Sequence, residues 1–272
     1  MSQLAIIIPI YKPDFLHEAL ESLAAQTCQD FTVYVGDDCS PHPLSDIVTP
    51  FTKRINLHYT RFEHNLGATD LIGQWERCIG LAKDEEWLWM FSDDDCMDSS
   101  CVESFYKMLQ LHPQHDLFHY DVTVIESDGQ PTTDRHFVKE DFPEWLSAKD
   151  FLKKRLKYRI NSYVVEYVFR RKTLDAIGGF VRFPLAWCSD DATWYKMGKG
   201  SGILTIPKAR VYWRKSDTNI TPNRSSDIQR QKIKAVKSFL RLCRQELGIS
   251  ALPTILNYYL HALYQARSLF RL

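Results

Sequence analysis

The chain has 272 residues, of which 44% are hydrophobic and 13% aromatic, and its 34 basic and 34 acidic side chains give no net charge. This composition excludes a disordered chain, and the length suits one α/β domain with an appendage or two small domains. The seven cysteines are odd in number and form no CxxC pair or zinc-type spacing with histidine. They indicate reduced thiols in a cytosolic protein rather than a zinc site.

Strands and helices alternate through the first 122 residues. Short apolar runs predict buried strands, and apolar residues at spacings of three and four predict helices. The predicted strands are 4–10, 31–35, 55–62, 87–91 and 116–122, and the predicted helices are 14–26, 68–82 and 99–111. Such alternation predicts βαβ units and a mostly parallel sheet with helices on both faces, in which ligands bind at the carboxyl ends of the strands.

The middle of the chain is less regular. Ser147 is placed to cap a basic helix that runs to Arg155, and Ser189 is placed to cap a helix over 190–197. The other expected elements are a strand within 163–169, a short helix at 173–177 and one or two strands within 202–213. The regular alternation of the first half therefore does not continue here.

The tail is basic and helical in pattern. Residues 225–272 contain eight Lys and Arg against two acidic residues, a net charge of +6. Helical spacing of apolar residues predicts one amphipathic helix around 233–247 and a second apolar segment at 252–270. One interpretation is peripheral contact with an anionic membrane surface. The other is a helical pair packed on the domain or on a second subunit.

Two acidic clusters follow predicted strands. Asp37 and Asp38 come after the strand at 31–35, and Asp93, Asp94 and Asp95 come after the strand at 87–91. Three successive carboxylates repel one another unless a cation lies between them, and Mg²⁺ and Mn²⁺ prefer oxygen ligands, often shared with substrate phosphates. An acidic turn before the next helix is the alternative. Two acidic strand ends on one edge of the sheet favour the metal site.

Several other classes of site are not predicted. The sequence contains no GxGxxG, GxxxxGK[ST] or HExxH motif, which argues against a Rossmann dinucleotide site, a P-loop and a zincin. An EF-hand that started at Asp93 would need glycine where Asp98 stands and glutamate where Ser104 stands. The acidic run is therefore not a calcium-binding loop of that type.

An ordered set of motifs resembles the inverting, GT-A-fold family 2 glycosyltransferases. The motifs are Ile-Ile-Ile-Pro-Ile-Tyr (6–11), Gln-Thr (26–27), Val-Gly-Asp-Asp-Cys-Ser (35–40), Asn-Leu-Gly (65–67), Asp-Asp-Asp (93–95), Phe-Arg-Arg (169–171), Gly-Gly-Phe (178–180), Ser-Asp-Asp (189–191) and Tyr-Trp-Arg (212–214). The resemblance covers about residues 4–221. It implies an α/β GT-A domain over 1–222, with a Rossmann-like, mostly parallel sheet flanked by helices. Its nucleotide-binding half would be about 1–122 and its acceptor half about 123–222, followed by a C-terminal helical segment at 223–272.

The resemblance also implies roles for individual residues. Pro9, Tyr11, Asp38 and Asp93 would bind the nucleotide, Asp94 and Asp95 would bind Mn²⁺ or Mg²⁺, Asp191 would be the catalytic base, and Arg214 would meet the diphosphate. Residue chemistry leaves alternatives open: the α-helix dipole also favours carboxylates at 190–191, and an arginine is often only a surface charge. Trp187 and Trp194 flank the base, where they could stack on a sugar or pack in the core.

The implied activity is metal-dependent, inverting transfer of a sugar from a nucleoside-diphosphate sugar to a hydroxyl of a glycan or lipid-linked acceptor. The nucleotide would be uridine, and the setting surface polysaccharide synthesis at the cytoplasmic face of the membrane, without nucleic acid. Cys39 stands where the family usually has glycine, and Ala-Thr-Asp follows Gly67 in place of Ala-Arg-Asn-x-Gly; both departures bear on nucleotide identity. The alternatives are a sugar-phosphate nucleotidyltransferase and a non-catalytic nucleotide-sugar binding module.

Overall fold

The computed structural model describes residues 3–135, 137–215 and 225–248. The strands are β1 (Leu4–Ile10), β2 (Thr32–Asp37), β3 (Leu57–Arg61), β4 (Trp87–Met90), β5 (Cys96–Met97), β6 (Leu117–Ile125), β7 (Trp145–Leu146), β8 (Tyr167–Arg170) and β9 (Ile203–Arg214). The helices are α1 (Leu16–Ala24), α2 (Leu44–Val48), α3 (Leu71–Ile79), α4 (Cys101–Leu111), α5 (Ala148–Leu156), α6 (Arg171–Ala176), α7 (Ser189–Met197) and α8 (Ser226–Leu247). Short 3₁₀ turns occupy Thr49–Lys53 and Pro184–Ala186.

One sheet contains all of these strands, in the order β3-β2-β1-β4-β8-β6-β9-β5, with β7 paired to β9. Strands β1 to β4 are parallel, as the alternation of strand and helix predicts. Strand β8 lies antiparallel between β4 and β6, and β9 runs parallel to β6. The α/β class with a mostly parallel sheet, flanking helices and a C-terminal helix is therefore confirmed.

The sheet is buried on both faces. In β1, Ile6 and Ile8 point into a core shared with α1 and α4, whereas Ala5 and Ile7 point into a second core shared with α3, α5, α7 and α8. A strand covered on both sides must be apolar at every position, which is why β1 reads as a continuous apolar run. The carboxyl ends of these strands, where the covering helices begin, are left for polar side chains.

Helix starts are set by side-chain caps in two places that bear on the site. The Asp70 carboxylate accepts a hydrogen bond from the Gly73 amide at α3. The Ser147 hydroxyl accepts one from the Asp150 amide at α5, which confirms the cap predicted there. The prediction of Ser189 as the cap of α7 is wrong. The N-cap is Cys188, in the left-handed region, and the Ser189 hydroxyl accepts a hydrogen bond from the Phe183 amide instead.

Helix α8 packs on the domain. Its buried face consists of Lys232, Ala235, Val236, Phe239, Leu240 and Cys243. This face covers α5, α7 and the 184–186 turn. For α8, the interpretation of the basic tail as a helix packed on the domain is confirmed, because the domain covers its apolar face. The second predicted segment, 252–270, lies outside the described residues. Within the described ranges, no helix combines the length and apolar character needed to cross a bilayer.

Candidate active site

A cavity of about 630 Å³ opens at the carboxyl ends of β1, β2 and β4. The rest of its lining includes the end of α5 with the loop that follows, residues of the 185–191 segment, and Trp213 of β9. Seven of the eight site residues predicted from the sequence line this cavity: Pro9, Tyr11, Asp38, Asp93, Asp94, Asp95 and Asp191. The fold therefore brings together carboxylates that lie up to about 150 positions apart in the chain.

Asp38 fixes one wall of the cavity. Its two carboxylate oxygens accept hydrogen bonds from the amides of Leu66, at 2.7 Å, and Gly67, at 2.8 Å. Arg77 also forms an ion pair with it. A Cβ at position 67 would lie 2.7 Å from Asp38 Oδ2, so glycine is required for this approach. The loop at 65–67 is therefore held against β2 by the acidic strand end.

Asp37, the other acidic residue of this strand end, has a structural role. It is fully buried and accepts hydrogen bonds from the Ser40 amide, the Tyr59 hydroxyl and the Arg61 guanidinium. Burial, followed by the hydrogen bond to Asp37, raises the pKa of Tyr59 to about 12. Asp37 thus organises the turn after β2 rather than the cavity.

The run that follows β4 is held by the chain on either side of it. Asp93 Oδ2 accepts hydrogen bonds from the amides of Tyr11, at 3.0 Å, and Lys12, at 3.2 Å, just after β1. Asp94 Oδ1 accepts a hydrogen bond from the Ser92 hydroxyl at 2.6 Å. Burial, followed by the charge of Asp94, raises the pKa of Asp93 to about 6. Burial also raises the pKa of Asp94.

Asp95 is tied to the far side of the sheet. Its Oδ1 accepts a hydrogen bond from the Arg214 amide at 2.7 Å, at the end of β9. Burial, followed by the charge of Asp94, raises the pKa of Asp95 well above its usual range. Three adjacent carboxylates therefore carry a burial cost that a divalent cation would offset.

The residues present fit a magnesium or manganese site in which the protein supplies only two of the ligands. Within 3–135, 137–215 and 225–248, no group of three or more His, Cys, Asp or Glu residues is arranged to hold a metal. Magnesium sites often use only one or two carboxylates, with water and substrate phosphate oxygens as the remaining ligands. Asp94 and Asp95 can supply such a pair, and the open cavity beside them leaves room for a phosphorylated substrate.

Arg214 lies behind the acidic run and is not among the residues that line the cavity. Its side chain is 1% exposed. The guanidinium donates to the Asp94 carbonyl at 2.9 Å and to Glu18 at 2.6 Å, and it lies 4.3 Å from the centre of the Phe15 ring. The interpretation of Arg214 as a surface charge is therefore wrong. Its predicted contact with a diphosphate stays a prediction, while the contacts seen here fix the backbone of the acidic run.

The start of α7 supplies two more carboxylates to the cavity. Asp191 is 1% exposed, and both of its oxygens contact the Arg155 guanidinium, Nε to Oδ1 at 2.7 Å and Nη2 to Oδ2 at 2.9 Å. Asp190 also lines the cavity, and burial, followed by the charge of Asp191, raises its pKa to about 7. Two neighbouring carboxylates thus have different surroundings, a pattern typical of sites that move protons.

The backbone before α7 is strained. Leu185, Ala186 and Cys188 have φ values of 59°, 54° and 61°, in the left-handed region that non-glycine residues rarely adopt. Trp187 lies between them, lines the cavity, and has the Lys232 ammonium 4.8 Å from its ring centre. Such strain persists only where the surrounding structure enforces it, and it clusters at functional sites. Here α8 provides that enforcement, since it packs on the 184–186 turn.

The model of the family described as Glycosyl transferase family 2 matches residues 5–176. The chain belongs to glycosyl transferase family 2. An uncharacterized glycosyltransferase of Haemophilus influenzae is 23% identical over 257 residues, which cover 89% of this chain and 87% of that protein. The poly(ribitol-phosphate) beta-N-acetylglucosaminyltransferase TarS of Staphylococcus aureus is 26% identical over 165 residues. That match covers 59% of this chain and 27% of TarS, so the chain spans only about a quarter of that relative.

Solved structures of glycosyltransferases share the fold. A fragment of S. aureus TarS in complex with UDP-GlcNAc superimposes with a TM-score of 0.68 at 21% identity, over 98% of this chain and 73% of the fragment. The mannosyltransferase PcManGT of Pyrobaculum calidifontis, in complex with GDP-Man and Mn²⁺, superimposes with a TM-score of 0.58 at 14% identity, over 97% and 69% of the two chains. At these identities the likeness concerns the fold.

In this family 2 glycosyltransferase, sequence reasoning missed several residues that line the cavity. Lys12 lies beside the acidic run, and its charge partly opposes the rise that burial causes in the pKa of Asp93 and Asp94. Its position directly after the first strand is the sequence feature that could have identified it as a cavity residue. Tyr163 stacks on Trp213 with ring centres 4.3 Å apart. These two rings come from distant segments, so no local pattern could have paired them. Of the two tryptophans near the base, Trp187 lines the cavity, whereas Trp194 is fully buried in the core.

Proposed function

We propose that this glycosyltransferase transfers a sugar from a nucleoside-diphosphate sugar to an acceptor hydroxyl, with a divalent metal and with inversion at the anomeric carbon. The observation that carries the proposal is the shared cavity, which is lined both by the carboxylates after β4 and by those at the start of α7. The complexes of TarS with UDP-GlcNAc and of PcManGT with GDP-Man and Mn²⁺ support a nucleotide-sugar donor and a metal on this fold.

The donor would bind at the strand ends. Pro9, Tyr11 and Asp38 line the part of the cavity that follows β1 and β2, and Asp93 joins the ends of β1 and β4 through the Tyr11 and Lys12 amides. Pro9 and the 65–67 loop would hold the base, and uridine is our proposal for it. Lys12, as a cation on the cavity wall, would face the diphosphate.

Asp94 and Asp95 would hold Mn²⁺ or Mg²⁺ at the open side of the acidic run. When bound there, the ion supplies stabilisation of the negative charge that develops on the departing diphosphate. Arg214 would contribute from behind the run, because its amide and guanidinium fix Asp95 and the Asp94 carbonyl. The protein would thus present two oriented carboxylates to the part of the cavity in which the diphosphate binds.

The acceptor hydroxyl would lose its proton to a carboxylate at the start of α7, for which the resemblance implies Asp191. An alcohol is a poor nucleophile until its proton is removed, and a positioned base contributes about 10²–10⁴-fold to the rate. One displacement from the face opposite the leaving diphosphate inverts the anomeric carbon. The cavity is compatible with this reaction because both the acidic run and the start of α7 line it.

Asp191→Asn tests this assignment. We expect the release of UDP from UDP-GlcNAc, with a panel of sugar acceptors, to fall by about 10²–10⁴-fold. Calorimetry should show the affinity for UDP unchanged within about twofold, because Asp191 belongs to α7 and not to the ends of β1 and β2, where the nucleotide would bind. Turnover that survives the substitution would refute Asp191 as the base. Release of pyrophosphate rather than UDP would instead favour a nucleotidyltransferase, and donor binding without turnover in the wild type would favour a binding module.

The acceptor we propose is a glycan or lipid-linked sugar of a surface polysaccharide. Peripheral contact with the membrane would use the exposed basic face of α8, on which Lys234, Lys237 and Arg241 lie. Changing these three residues to serine in the full chain should reduce co-sedimentation with vesicles that contain phosphatidylglycerol. Equal sedimentation of the wild type and the variant would remove the membrane contact from the proposal.

A further inference from the structure

We propose that Arg155 is a positioning residue that holds Asp191 ionised and correctly oriented to accept the proton of the acceptor hydroxyl. The inference rests on the proposed function, because it concerns the base of that reaction. Sequence reasoning assigned Arg155 only to a basic helix. The structure brings it from the end of α5 to the start of α7, where it lines the same cavity as the carboxylate that it contacts.

The contact is bidentate and nearly closed to solvent. Nε and Nη2 of Arg155 each donate to a different oxygen of Asp191, at 2.7 and 2.9 Å, and the two side chains are 16% and 2% exposed. Nη1 donates to the Ile160 carbonyl at 2.7 Å, so the guanidinium is itself fixed. A planar guanidinium that donates to both oxygens fixes the position of the carboxylate and also its rotation. A single contact from a lysine ammonium fixes only the position.

The electrostatic surroundings explain why this carboxylate needs a fixed cation. The titratable groups near Asp191 are Arg155 from α5, Tyr158 after α5, Glu166 and Tyr167 at β8, Asp190 on α7 and Cys243 on α8. Burial raises the pKa of Glu166 well above its usual range. Among the groups named, Arg155 alone is cationic. A buried carboxylate without a counter-charge takes up a proton and can no longer act as a base.

Asp190 provides a comparison within the same helix turn. It lines the same cavity, but no Lys or Arg of the described ranges forms an ion pair with it. Burial, followed by the charge of Asp191, raises the pKa of Asp190 to about 7. Asp190 therefore takes up a proton near neutral pH. The Arg155 contact is what distinguishes Asp191 from its neighbour.

A structural tie between α5 and α7 is the competing explanation, and pH dependence separates the two. If Arg155 keeps the base ionised, its loss moves the acidic limb of the pH–rate profile to higher pH. If it only ties two helices together, its loss lowers thermal stability or the amount of folded enzyme, and the shape of the profile stays the same.

The experiment uses the full chain with Arg155→Gln and Arg155→Lys, and it follows the release of UDP from UDP-GlcNAc between pH 5 and 9. We expect Arg155→Gln to lower kcat at pH 7 by about 10²-fold, with the acidic limb moved to higher pH and the affinity for UDP unchanged. Arg155→Lys should recover part of the loss, because it restores the charge but not the fork. Should Arg155→Gln not fold, Arg155→Lys carries the test, with a loss of about tenfold expected.

Arg170→Lys is the matched control. Arg170 is also a buried arginine with ion pairs to two carboxylates, Glu86 and Asp116, but it is not among the residues that line the cavity. The control should lower the melting temperature without moving the pH–rate profile. A profile in Arg155→Gln that keeps the wild-type shape would overturn the inference.

A double-mutant cycle provides a second, independent measurement. If Arg155 acts through Asp191, adding Arg155→Gln to Asp191→Asn should cost less than about threefold more, since the base is already absent. If the rate losses of the two single variants multiply in the double variant, Arg155 does not act through Asp191. A wild-type enzyme that releases no UDP from any nucleotide-sugar tested would contradict the proposed function itself, an outcome different from either of these.

Discussion

The two walls of the cavity are built in different ways. On the wall formed by the ends of β1, β2 and β4, acidic side chains are held by backbone amides of neighbouring strand ends, as Asp38 is held by Leu66 and Gly67. On the wall formed by α5, 185–191 and β9, side chains hold one another directly, as Arg155 holds Asp191. The first wall is determined by the topology of a parallel sheet, whereas the second depends on which side chains happen to meet.

This difference has a consequence for substrate recognition. A wall made of strand ends and amides changes little when surface residues change, which suits a donor whose phosphates recur from one relative to another. A wall made of side chains from a helix end, a strained turn and an edge strand can be altered one residue at a time. We therefore expect the acceptor to be specified on the second wall.

The largest effect should follow a change in the acidic run. Asp94→Asn removes one proposed metal ligand, and we expect turnover to fall by about 10³-fold because the charge on the departing diphosphate loses its stabilisation. Turnover should likewise disappear in EDTA and return with Mn²⁺. The exposed Asp84 supplies the control, as Asp84→Asn should leave the rate unchanged. Equal rates for Asp94→Asn and wild type across a Mn²⁺ titration would show that the first wall does not work as proposed.

An intermediate effect should follow a change in the 65–67 loop. In Gly67→Ala the new Cβ would lie 2.7 Å from Asp38 Oδ2, and Asp38 is held by two amides and Arg77, so the loop must shift. Overpacking of this kind costs about 1–3 kcal/mol, and we expect the Kd for UDP to rise about tenfold. The value of kcat should change little. Gly200→Ala is the control, since a Cβ there meets nothing within 4 Å. An unchanged Kd would place the nucleotide away from this loop.

The smallest effect should be one of stability on the second wall. The pKa of Asp190 is raised from an ordinary value of 3.8 to about 7, so ionisation costs the folded state more than the unfolded one. Stability from this group is present below about pH 4 and is lost as the pH rises through about 7. Asp190→Asn should therefore melt several degrees above the wild type at pH 8, and the gap should close near pH 4. A gap that stays constant with pH would contradict this account of Asp190.

The sequence predicted the first wall well because its determinants are local. Buried strands such as β1 and β4 are continuous apolar runs, and the acidic residues that end them must lie on one edge of a parallel sheet. The fold class and most of the long elements were predicted for the same reason. The two-residue strands β5 and β7 were missed, because a strand that short is defined by its pairing with β9 and not by its own composition.

The second wall could be predicted only in part. The resemblance pointed to Asp191, but not to its partner Arg155, which precedes it by 36 positions and meets it only after α5 and α7 pack. The cap assigned to Ser189 was wrong for a related reason. A serine before a helical pattern predicts a cap, yet its hydroxyl is taken by Phe183 in the turn that the fold places beside it. The burial of Arg214 likewise depends on where β9 ends relative to β4.

Helix α8 covers α5, α7 and the strained turn, and it ends at Gly248, where a φ of 62° closes the helix. Helix α8 therefore braces the second wall of the cavity from behind. A loss of turnover after a substitution on the buried face of α8 should be interpreted first as a loosened scaffold.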